Sequence, residues 1–249
     1  MPPKLKPVRS AYAVPLKVVL FGASGMVGQG VLRECLADPR VEAVLSIART
    51  ASLINHPKFS EIILKNIESD LTSDLKITGW NACFFCLGTP SAGKTEKQYR
   101  RVTHDLTLSV ASFLSKHNPQ MTLIYVSGLG ADSTEKKSPL MWARVRGQTE
   151  NALQRLPFRR VLILRPGIIL PMHGIQSKTA TYRRLYTIFK PILRLARFVL
   201  PNFISSTEQI GRAMIEAAET GVNKPILGPS DFEELARRSP IALTQGTKL

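Results

Sequence analysis

The chain has 249 residues, of which 44% are hydrophobic and 21% are charged. This length and composition allow one full hydrophobic core and exclude collagen-like, low-complexity and intrinsically disordered proteins. Lysine and arginine total 34 against 18 acidic residues, and the formal net charge of +16 indicates an anionic partner such as a nucleotide, an acidic lipid surface or nucleic acid.

The N-terminal residues 1–15 form a basic arm that contains Lys4, Lys6 and Arg9 and no acidic residue. The arm lacks the apolar stretch of a secretory signal. A short solvated arm is one interpretation. An organellar transit peptide is the other, although the first predicted strand begins almost directly after it. No continuous apolar run of about 18 residues is present, so the sequence predicts no membrane-spanning helix.

Short apolar runs alternate with helical patterns along the chain. Strands are predicted at residues 17–21, 41–48, 61–64, 83–87, 122–126 and 160–164, and helices at 26–36, 96–116, 138–156 and 207–220. Ser138 is the predicted cap of the third of these helices, and Pro139 is its predicted first residue. Because the strands are almost continuously apolar, the pattern predicts a parallel sheet covered on both faces.

The predicted fold class is therefore α/β, a doubly wound parallel sheet of the Rossmann type with a small C-terminal helical lobe. Residues 16–170 form the predicted NAD(P)-binding core, and residues 171–249 form the lobe, which packs on the same domain. The chain thus divides into a basic arm, a Rossmann core and a lobe that is not a separate domain.

Three cysteines, Cys35, Cys83 and Cys86, are too few for a disulfide scaffold and indicate a reducing compartment. The CxxC spacing of Cys83 and Cys86 lies in an apolar strand, where residues three apart point to opposite faces, so we expect core packing rather than redox chemistry. No histidine is grouped with cysteines or carboxylates at ligand spacing, and no metal site is predicted. We expect a cytoplasmic protein, with a peripheral-membrane or organellar location as the alternative.

A glycine-rich loop with the pattern G-x-x-G-x-x-G directly follows the first predicted strand and opens a helix. Its residues are Gly22, Ala23, Ser24, Gly25, Met26, Val27 and Gly28. The first glycine permits a tight turn, the second lets the backbone approach a pyrophosphate, and the third lets helix and strand pack closely. The phosphates would lie on N–H groups at the positive end of the helix. The loop predicts a dinucleotide site, and a turn without a ligand is the alternative.

The end of the second strand distinguishes between the two nicotinamide cofactors. NAD-binding proteins place an acidic residue there, whereas this strand is followed by Arg49. A guanidinium can form paired hydrogen bonds to a 2′-phosphate, so NADP(H) is favoured over NAD(H), and a solvated loop charge is the alternative. Further cofactor contacts are predicted after the third and fourth strands, at Asn66, Leu87, Gly88 and Thr89.

Five segments together resemble the short-chain dehydrogenase/reductase superfamily, and more narrowly its atypical branch related to the Tat-interacting protein oxidoreductases. They are residues 22–28, 85–89, 125–128, 145–150 and 164–167. The resemblance spans residues 16–220. It implies a doubly wound NAD(P)-binding fold with a further cofactor contact at Pro166, and it adds little about the substrate.

The resemblance also exposes a departure from the superfamily. Active members carry a Tyr-x-x-x-Lys pair on the helix after the fifth strand, and the corresponding residues here are Trp142 and Arg146. An indole N–H donates a hydrogen bond but is not a useful acid. The Arg146 guanidinium can grip ribose hydroxyls but does not titrate at working pH. Ser127, at the end of the fifth strand, is retained and is expected to orient a carbonyl.

Another group would have to supply the proton if the chain is an enzyme. His173, which follows the sixth strand, is a candidate because a neutral imidazole exchanges protons near neutral pH. Tyr125 and Tyr182 are the others, with core packing as the alternative for Tyr125. Two functions stay open. One is an NADPH-dependent oxidoreductase acting on an unknown carbonyl-type small molecule, and the other is a non-catalytic NADPH-binding sensor or adaptor.

Most of the excess positive charge lies in two segments. Residues 151–207 contain ten basic residues and no acid, and residues 1–17 contain four basic residues and no acid. Residues 185–203 mix bases with apolar residues at near-helical spacing. This part is predicted to close the substrate cleft, with an anionic lipid surface or a protein partner as alternatives. No nucleic acid partner is expected, because no recognised nucleic-acid module is present.

Overall fold

A computed structural model of the chain describes residues 15–71, 75, 77–134, 138–175 and 203–239. Most of the predicted basic arm, Tyr182 and nearly all of the predicted amphipathic segment, residues 185–202, lie outside the described residues. The interpretations given for these parts stay predictions from the sequence.

A parallel sheet forms the centre of the molecule. The strands in chain order are β1 (Leu16–Phe21), β2 (Val41–Ala48), β3 (Phe59–Ile63), β4 (Ala82–Phe85), β5 (Thr122–Val126), β6 (Arg160–Leu164), β7 (Ile168–Leu170), β8 (Ile204–Ser206) and β9 (Ile226–Leu227). Seven of them form one sheet in the order β3-β2-β1-β4-β5-β6-β9, while β7 and β8 pair with each other. Strand order reverses beside β1, and this confirms the predicted doubly wound Rossmann sheet.

Helices cover both faces of the sheet. In chain order they are α1 (Met26–Ala37), α2 (Ile67–Asp70), α3 (Glu96–Arg100), α4 (Leu106–His117), α5 (Met141–Gln154), α6 (Thr207–Thr220) and α7 (Pro229–Arg238). Residues of α1, α6 and α7 share one core cluster, and residues of α2, α4 and α5 share the other. A π-helical turn, Arg101–Asp105, joins α3 to α4.

Alternate side chains of the central strands enter opposite cores. Leu20 and Phe84 are buried in the α1 and α6 core, whereas Phe21 and Phe85 are buried in the α4 core. The Phe21 and Phe85 rings stack with their centroids 5.3 Å apart. Because both faces are covered, the positions along these strands are apolar except Lys17 in β1, which is why their sequences are nearly continuous hydrophobic runs.

The C-terminal residues complete this same sheet and core. Strand β9 pairs with β6, and α6 packs on α1. A Cβ atom added to Gly30 of α1 would lie 2.5 Å from Cβ of Thr207, and one added to Gly211 of α6 would lie 2.9 Å from Cγ of Glu34. The two helices therefore approach closely because glycine stands at their contacts.

The start of α5 differs from the prediction. The helix begins at Met141, and the preceding Leu140 provides no side-chain cap. Ser138, the predicted cap, instead forms part of the turn before the helix: its backbone N–H donates to Asp132 Oδ2 at 2.7 Å, and its hydroxyl oxygen accepts from the Leu140 N–H at 3.1 Å. The Ser-Pro signal was wrong about the helix start because the serine hydroxyl closes a local turn instead.

Candidate functional site

The glycine loop makes close backbone contacts at the carboxyl edge of the sheet. Gly22 has φ of +80°, and a Cβ atom there would lie 2.7 Å from the carbonyl carbon of Cys86. A Cβ atom at Gly28 would lie 2.0 Å from the carbonyl oxygen of Gly22. The loop thus crosses β4 and packs under α1 only because these two positions lack side chains.

The N-terminus of α1 is open to an anionic ligand. Gly25 precedes the helix, and within the described residues no side chain caps this end, nor does the first turn contain an acid. The first N–H groups of a helix have no intrahelical partner and carry partial positive charge. This end of α1 therefore fits a diphosphate group.

A cavity of about 850 Å³ lies above the loop, and we call it the first cavity. Its lining includes Gly22, Ala23, Ser24, Gly25, Met26, Val27, Arg49, Leu87, Gly88, Thr89, Ser127 and Arg146. These residues come from the ends of β1, β2, β4 and β5 and from α5. The structure thus brings together most of the residues for which cofactor contacts are predicted.

Arg49 reaches the first cavity from the end of β2. Its side chain is exposed, and within the described part of the chain no carboxylate lies within ion-pair distance of it. The position and charge fit a second phosphate group at this end of the cavity.

Three of the predicted site residues lie outside the first cavity, and a fourth, Gly28, does not line it either but packs against Gly22. The Asn66 oxygen accepts the Glu68 N–H at 3.2 Å and caps α2, so the neighbouring Ile67 lines the cavity instead. Pro166 lines a different cavity, described next. His173 lines neither cavity and lies 3.0 Å from a Glu208 oxygen.

A second cavity of about 460 Å³ continues from the first. The two share Thr89, Pro90, Ser127, Arg146 and Ile169. The rest of the second cavity is mainly apolar and aromatic, with Tyr99, Leu129, Trp142, Pro166, Ile168 and Phe203 among its lining residues. The site is therefore one continuous cleft with a glycine-lined end and an aromatic end.

Trp142 and Arg146 lie one turn apart on α5 and both line the second cavity. The Trp142 ring lies against Gly130, where a Cβ atom would be 3.2 Å from it. Arg146 donates through Nε to the Tyr99 hydroxyl at 3.0 Å and through Nη1 to the Val126 carbonyl at 3.3 Å. Burial acts to lower the pKa of Arg146, but the neighbouring tyrosines and Glu150 outweigh it, so the pKa is raised and the guanidinium stays charged.

The Ser127 hydroxyl is hydrogen-bonded to an acidic side chain that was not predicted from the sequence. Its hydroxyl donates to the carboxylate of Glu150, which is completely buried. Arg165 donates through Nε to both oxygens of this carboxylate at 3.1 Å. Because its one proton points to Glu150, the Ser127 hydroxyl faces the cleft as an acceptor. A glutamate on the buried face of α5, followed by an arginine at the end of β6, was the available signal.

Tyr125 is one of the predicted candidates for the proton donor, whereas Tyr99 is not. Tyr125 is buried in the β5 core and lines neither cavity. Burial raises the pKa of Tyr125 to about 12, which makes its phenol a poor acid. Tyr99 of α3 does line the second cavity, although no motif in the sequence marks it.

Cys35 and Cys83 are buried core residues, and Cys86 is half-buried and lines the first cavity. Cys83 is fully buried, and burial raises the pKa of its thiol and of the neighbouring Cys86 thiol. All three cysteines are free thiols. The packing interpretation of the CxxC spacing is therefore confirmed.

No protein-family model matches the chain. It is 27% identical over 222 residues to the protein fmp52, mitochondrial, of Emericella nidulans, a match that covers 86% of this chain and 92% of that protein. It is 22% identical to FMP52, mitochondrial, of Candida albicans, with 89% of this chain and 98% of that protein covered. FMP52, mitochondrial, of Candida glabrata is 32% identical over 61% of this chain and 63% of its own length.

Among solved structures, a short-chain dehydrogenase family protein from Francisella tularensis superposes with a TM-score of 0.59 at 14% identity, covering 84% of this chain and 93% of that one. A UDP-N-acetylglucosamine 4-epimerase from Methanobrevibacter ruminantium gives 0.59 at 15% identity, covering 88% and 80%. These likenesses show the fold alone.

The chain therefore has a short-chain dehydrogenase/reductase-like fold and is distantly related to the FMP52 proteins. The predicted cytoplasmic location is wrong, because these relatives are named as mitochondrial proteins. No helix in the described part of the chain is long and apolar enough to cross a membrane.

Proposed function

We propose that the chain binds NADP(H) in the first cavity and acts as an oxidoreductase on a small carbonyl-type molecule in the second. The observation that carries this proposal is the continuity of the two cavities, which meet at Ser127 and Arg146. A cofactor on one side of this junction would face a substrate on the other.

Each part of the proposed cofactor has a counterpart in the first cavity. The N-terminus of α1 holds the diphosphate, and Arg49 holds the 2′-phosphate that distinguishes NADP(H) from NAD(H). Leu87, Gly88 and Thr89 contact the adenosine half, and Arg146 binds ribose hydroxyls near the junction. When bound, the reduced cofactor supplies a hydride.

The second cavity favours an apolar substrate with one polar oxygen. Leu129, Ile168 and Phe203 line it and keep 40%, 45% and 54% of their surface exposed, respectively. Exposed apolar side chains around a cavity are typical of binding sites for apolar molecules. Tyr99, Trp142 and Arg146 are among the residues with hydrogen-bond donors that line this cavity.

One alternative function also has support. Trp142 stands where active members of the superfamily have tyrosine, and the proton of Ser127 is directed to Glu150. Both features favour a non-catalytic sensor or adaptor that binds NADPH without turning over a substrate.

Because the relatives are named as mitochondrial proteins, a mitochondrial location is part of the proposal for this chain. Cell fractionation of the full chain tests it. The narrower link to the Tat-interacting oxidoreductase branch rests on the sequence segments alone. The partner of the basic residues 151–207 stays a prediction, either an anionic lipid surface or a protein.

Titration of the protein with NADPH and with NADH tests the cofactor proposal. Substitution Arg49→Gln removes a charge-assisted contact worth about 1.5–3 kcal/mol, so NADPH affinity should fall about 10- to 100-fold while NADH affinity changes little. Arg155→Gln is the matched control, because Arg155 is also exposed but lines neither cavity. Equal affinity of the unmodified protein for both cofactors, or binding of neither, would contradict the proposal.

A further inference from the structure

Tyr99 supplies a phenol to the cleft, in which Trp142 stands where active members of the superfamily carry a tyrosine. The side chain is 1% exposed overall, yet it lines the second cavity together with Trp142 and Arg146. It belongs to α3, a different element from the helix on which the superfamily carries its tyrosine. Tyr99 places a hydroxyl beside the Arg146 guanidinium. Trp142 has no hydroxyl and cannot do so.

Several contacts fix α3 against α5. Glu96, at the start of α3, accepts from Arg144 Nη2 at 2.7 Å. Arg100, at its end, donates to the side-chain oxygen of Gln148. Tyr99 lies between these two contacts along α3, so its position is held by the packing of two helices rather than by a loop.

The π-helical turn that follows α3 strengthens this placement. The Thr149 hydroxyl of α5 donates to the Val145 carbonyl at 2.7 Å and lies 3.3 Å from the carbonyl of Thr103, within the turn. A π-turn changes the rotational relation between the helical segments on either side of it. Helix α4 can therefore bury its side chains against the sheet while Tyr99 faces α5.

The hydrogen bonds of Tyr99 leave its O–H proton available for donation to a ligand. Arg146 has donors only, so at 3.0 Å its Nε–H donates and the phenol oxygen accepts. Among the described residues, no acceptor for the Tyr99 O–H is present. The proton is therefore free to be donated to a ligand in the second cavity, which Tyr99 lines, and the adjacent guanidinium stabilises negative charge on the oxygen after the proton leaves.

We propose that Tyr99 is the catalytic proton donor to the carbonyl oxygen of the substrate, a role that rests on the proposed oxidoreductase function. The carbonyl carbon accepts the hydride of the reduced nicotinamide cofactor, the C=O π bond opens, and the oxygen takes the Tyr99 proton to give an alcohol. The cofactor is left oxidised, and the Tyr99 phenolate beside Arg146 regains a proton from water. Trp142 shapes the aromatic wall of the cavity.

The test compares Tyr99→Phe with Tyr125→Phe, which removes a phenolic oxygen from a tyrosine that lines neither cavity. NADPH affinity, measured first, should change less than about twofold in Tyr99→Phe, which shows that the variant folds. Turnover of a panel of aryl ketones, followed by loss of NADPH absorbance, should fall about 100-fold or more in Tyr99→Phe and stay near wild type in Tyr125→Phe.

A second readout needs no turnover. Acetophenone with an isotope-labelled carbonyl is bound to the protein loaded with NADP⁺, and its carbonyl stretch is recorded in the infrared. A hydrogen bond from Tyr99 shifts the stretch to lower frequency in the wild type, and Tyr99→Phe should abolish this shift while Tyr125→Phe keeps it.

The outcomes separate the two proposals. Equal carbonyl frequencies in the wild type and in Tyr99→Phe, or equal turnover, overturn the role of Tyr99 alone. A wild type that binds NADPH and shows the shifted carbonyl but reduces no ketone overturns the oxidoreductase function, and with it proton donation. A wild type that shows no bound acetophenone overturns the assignment of the second cavity to carbonyl compounds and the Tyr99 role with it.

Discussion

Ser127 shows how one hydrogen bond changes what a side chain can do. At the end of β5 it occupies the position from which a serine is expected to orient a carbonyl. Its proton is directed to the buried Glu150, which Arg165 holds from the other side. A hydroxyl that already donates inward faces a ligand only as an acceptor. Ser127 therefore suits a ligand hydroxyl better than a carbonyl, as in the alcohol product of a reduction.

At the same scale, Gly28→Ala should damage both stability and cofactor binding. The new methyl group would meet the Gly22 carbonyl oxygen at 2.0 Å, so α1 must shift away from the loop. We expect a loss of about 1–3 kcal/mol in the free energy of unfolding, as for other overpacked sites, with NADPH affinity at least about 10-fold weaker. Urea unfolding and NADPH titration measure the two effects.

Gly88→Ala is the control for stability, because a Cβ atom there meets no atom within 4 Å and φ is not positive. Its free energy of unfolding should stay within about 0.5 kcal/mol of the wild type. Similar losses in the free energy of unfolding in both variants would show that the close contact between Gly28 and Gly22 is not the cause of the loss.

The site residues that could be predicted from sequence are those fixed by backbone geometry. The glycine loop and Arg49 follow strand ends, and all parallel strands bring their carboxyl ends to one edge, so their meeting was predictable. Tyr99 was not predictable, because its contact with Arg146 depends on how α3 packs on α5. The place of His173 was not predictable for a related reason: it lies in the loop after β7, 3.0 Å from a Glu208 oxygen, and lines neither cavity.

At the scale of elements, one carboxylate connects α5 to two strand ends. Glu150 accepts from Ser127 at the end of β5 and from Arg165 just after β6. Such a buried carboxylate needs its partners, because desolvation of an unpaired charge is costly. The Glu150 contacts therefore set the depth at which α5 packs on the sheet, and with it the position of Arg146 in the cleft.

Glu150→Gln removes the charge opposite Arg165 and should lower the free energy of unfolding by about 3–5 kcal/mol. The control is Glu42→Gln, which breaks an exposed pair with Lys17 at 3.2 Å and should cost less than about 1 kcal/mol. Chemical denaturation compares the two variants. A Glu150→Gln variant as stable as Glu42→Gln would mean that the buried network positions α5 but adds little to the free energy of unfolding.

The bounds of a helix or strand are predicted well where its local sequence pattern is strong. Strands β2, β5 and β6 have the predicted bounds, since a buried strand between turns is a short run of apolar residues. The predicted helix of residues 96–116 is instead two helices joined by a π-turn, because hydrophobic spacing does not reveal one additional residue in a turn. Strand β9 has two residues, too few to give a pattern.

At the scale of the whole molecule, residues from both ends of the chain share one core. Leu20 of β1 and Ile215 of α6 are fully buried in the same cluster. The order of the sheet explains why, since β9 extends it beyond β6 and α6 covers the face that α1 also covers. Composition predicted a single core of this size, but the sequence alone did not show that α6 covers the same face as α1.

A single cooperative transition should therefore appear in calorimetry. Leu20→Ala and Ile215→Ala each remove buried methylene groups and should each cost about 2–5 kcal/mol, lowering the Tm of that same transition. A separate transition that moves only in Ile215→Ala would show instead that the C-terminal part unfolds on its own.

The π-helical turn of Arg101–Asp105 also has an evolutionary meaning. A π-turn contains one residue more than an α-helical turn, so a single inserted codon can create it. Loss of that codon would restore the α-helical repeat and rotate Tyr99 relative to α4 by about 100°. The position of the phenol beside Arg146 thus depends on the number of residues in this segment as well as on their identity, and comparison of chain lengths among relatives over this segment would show whether an insertion created the turn.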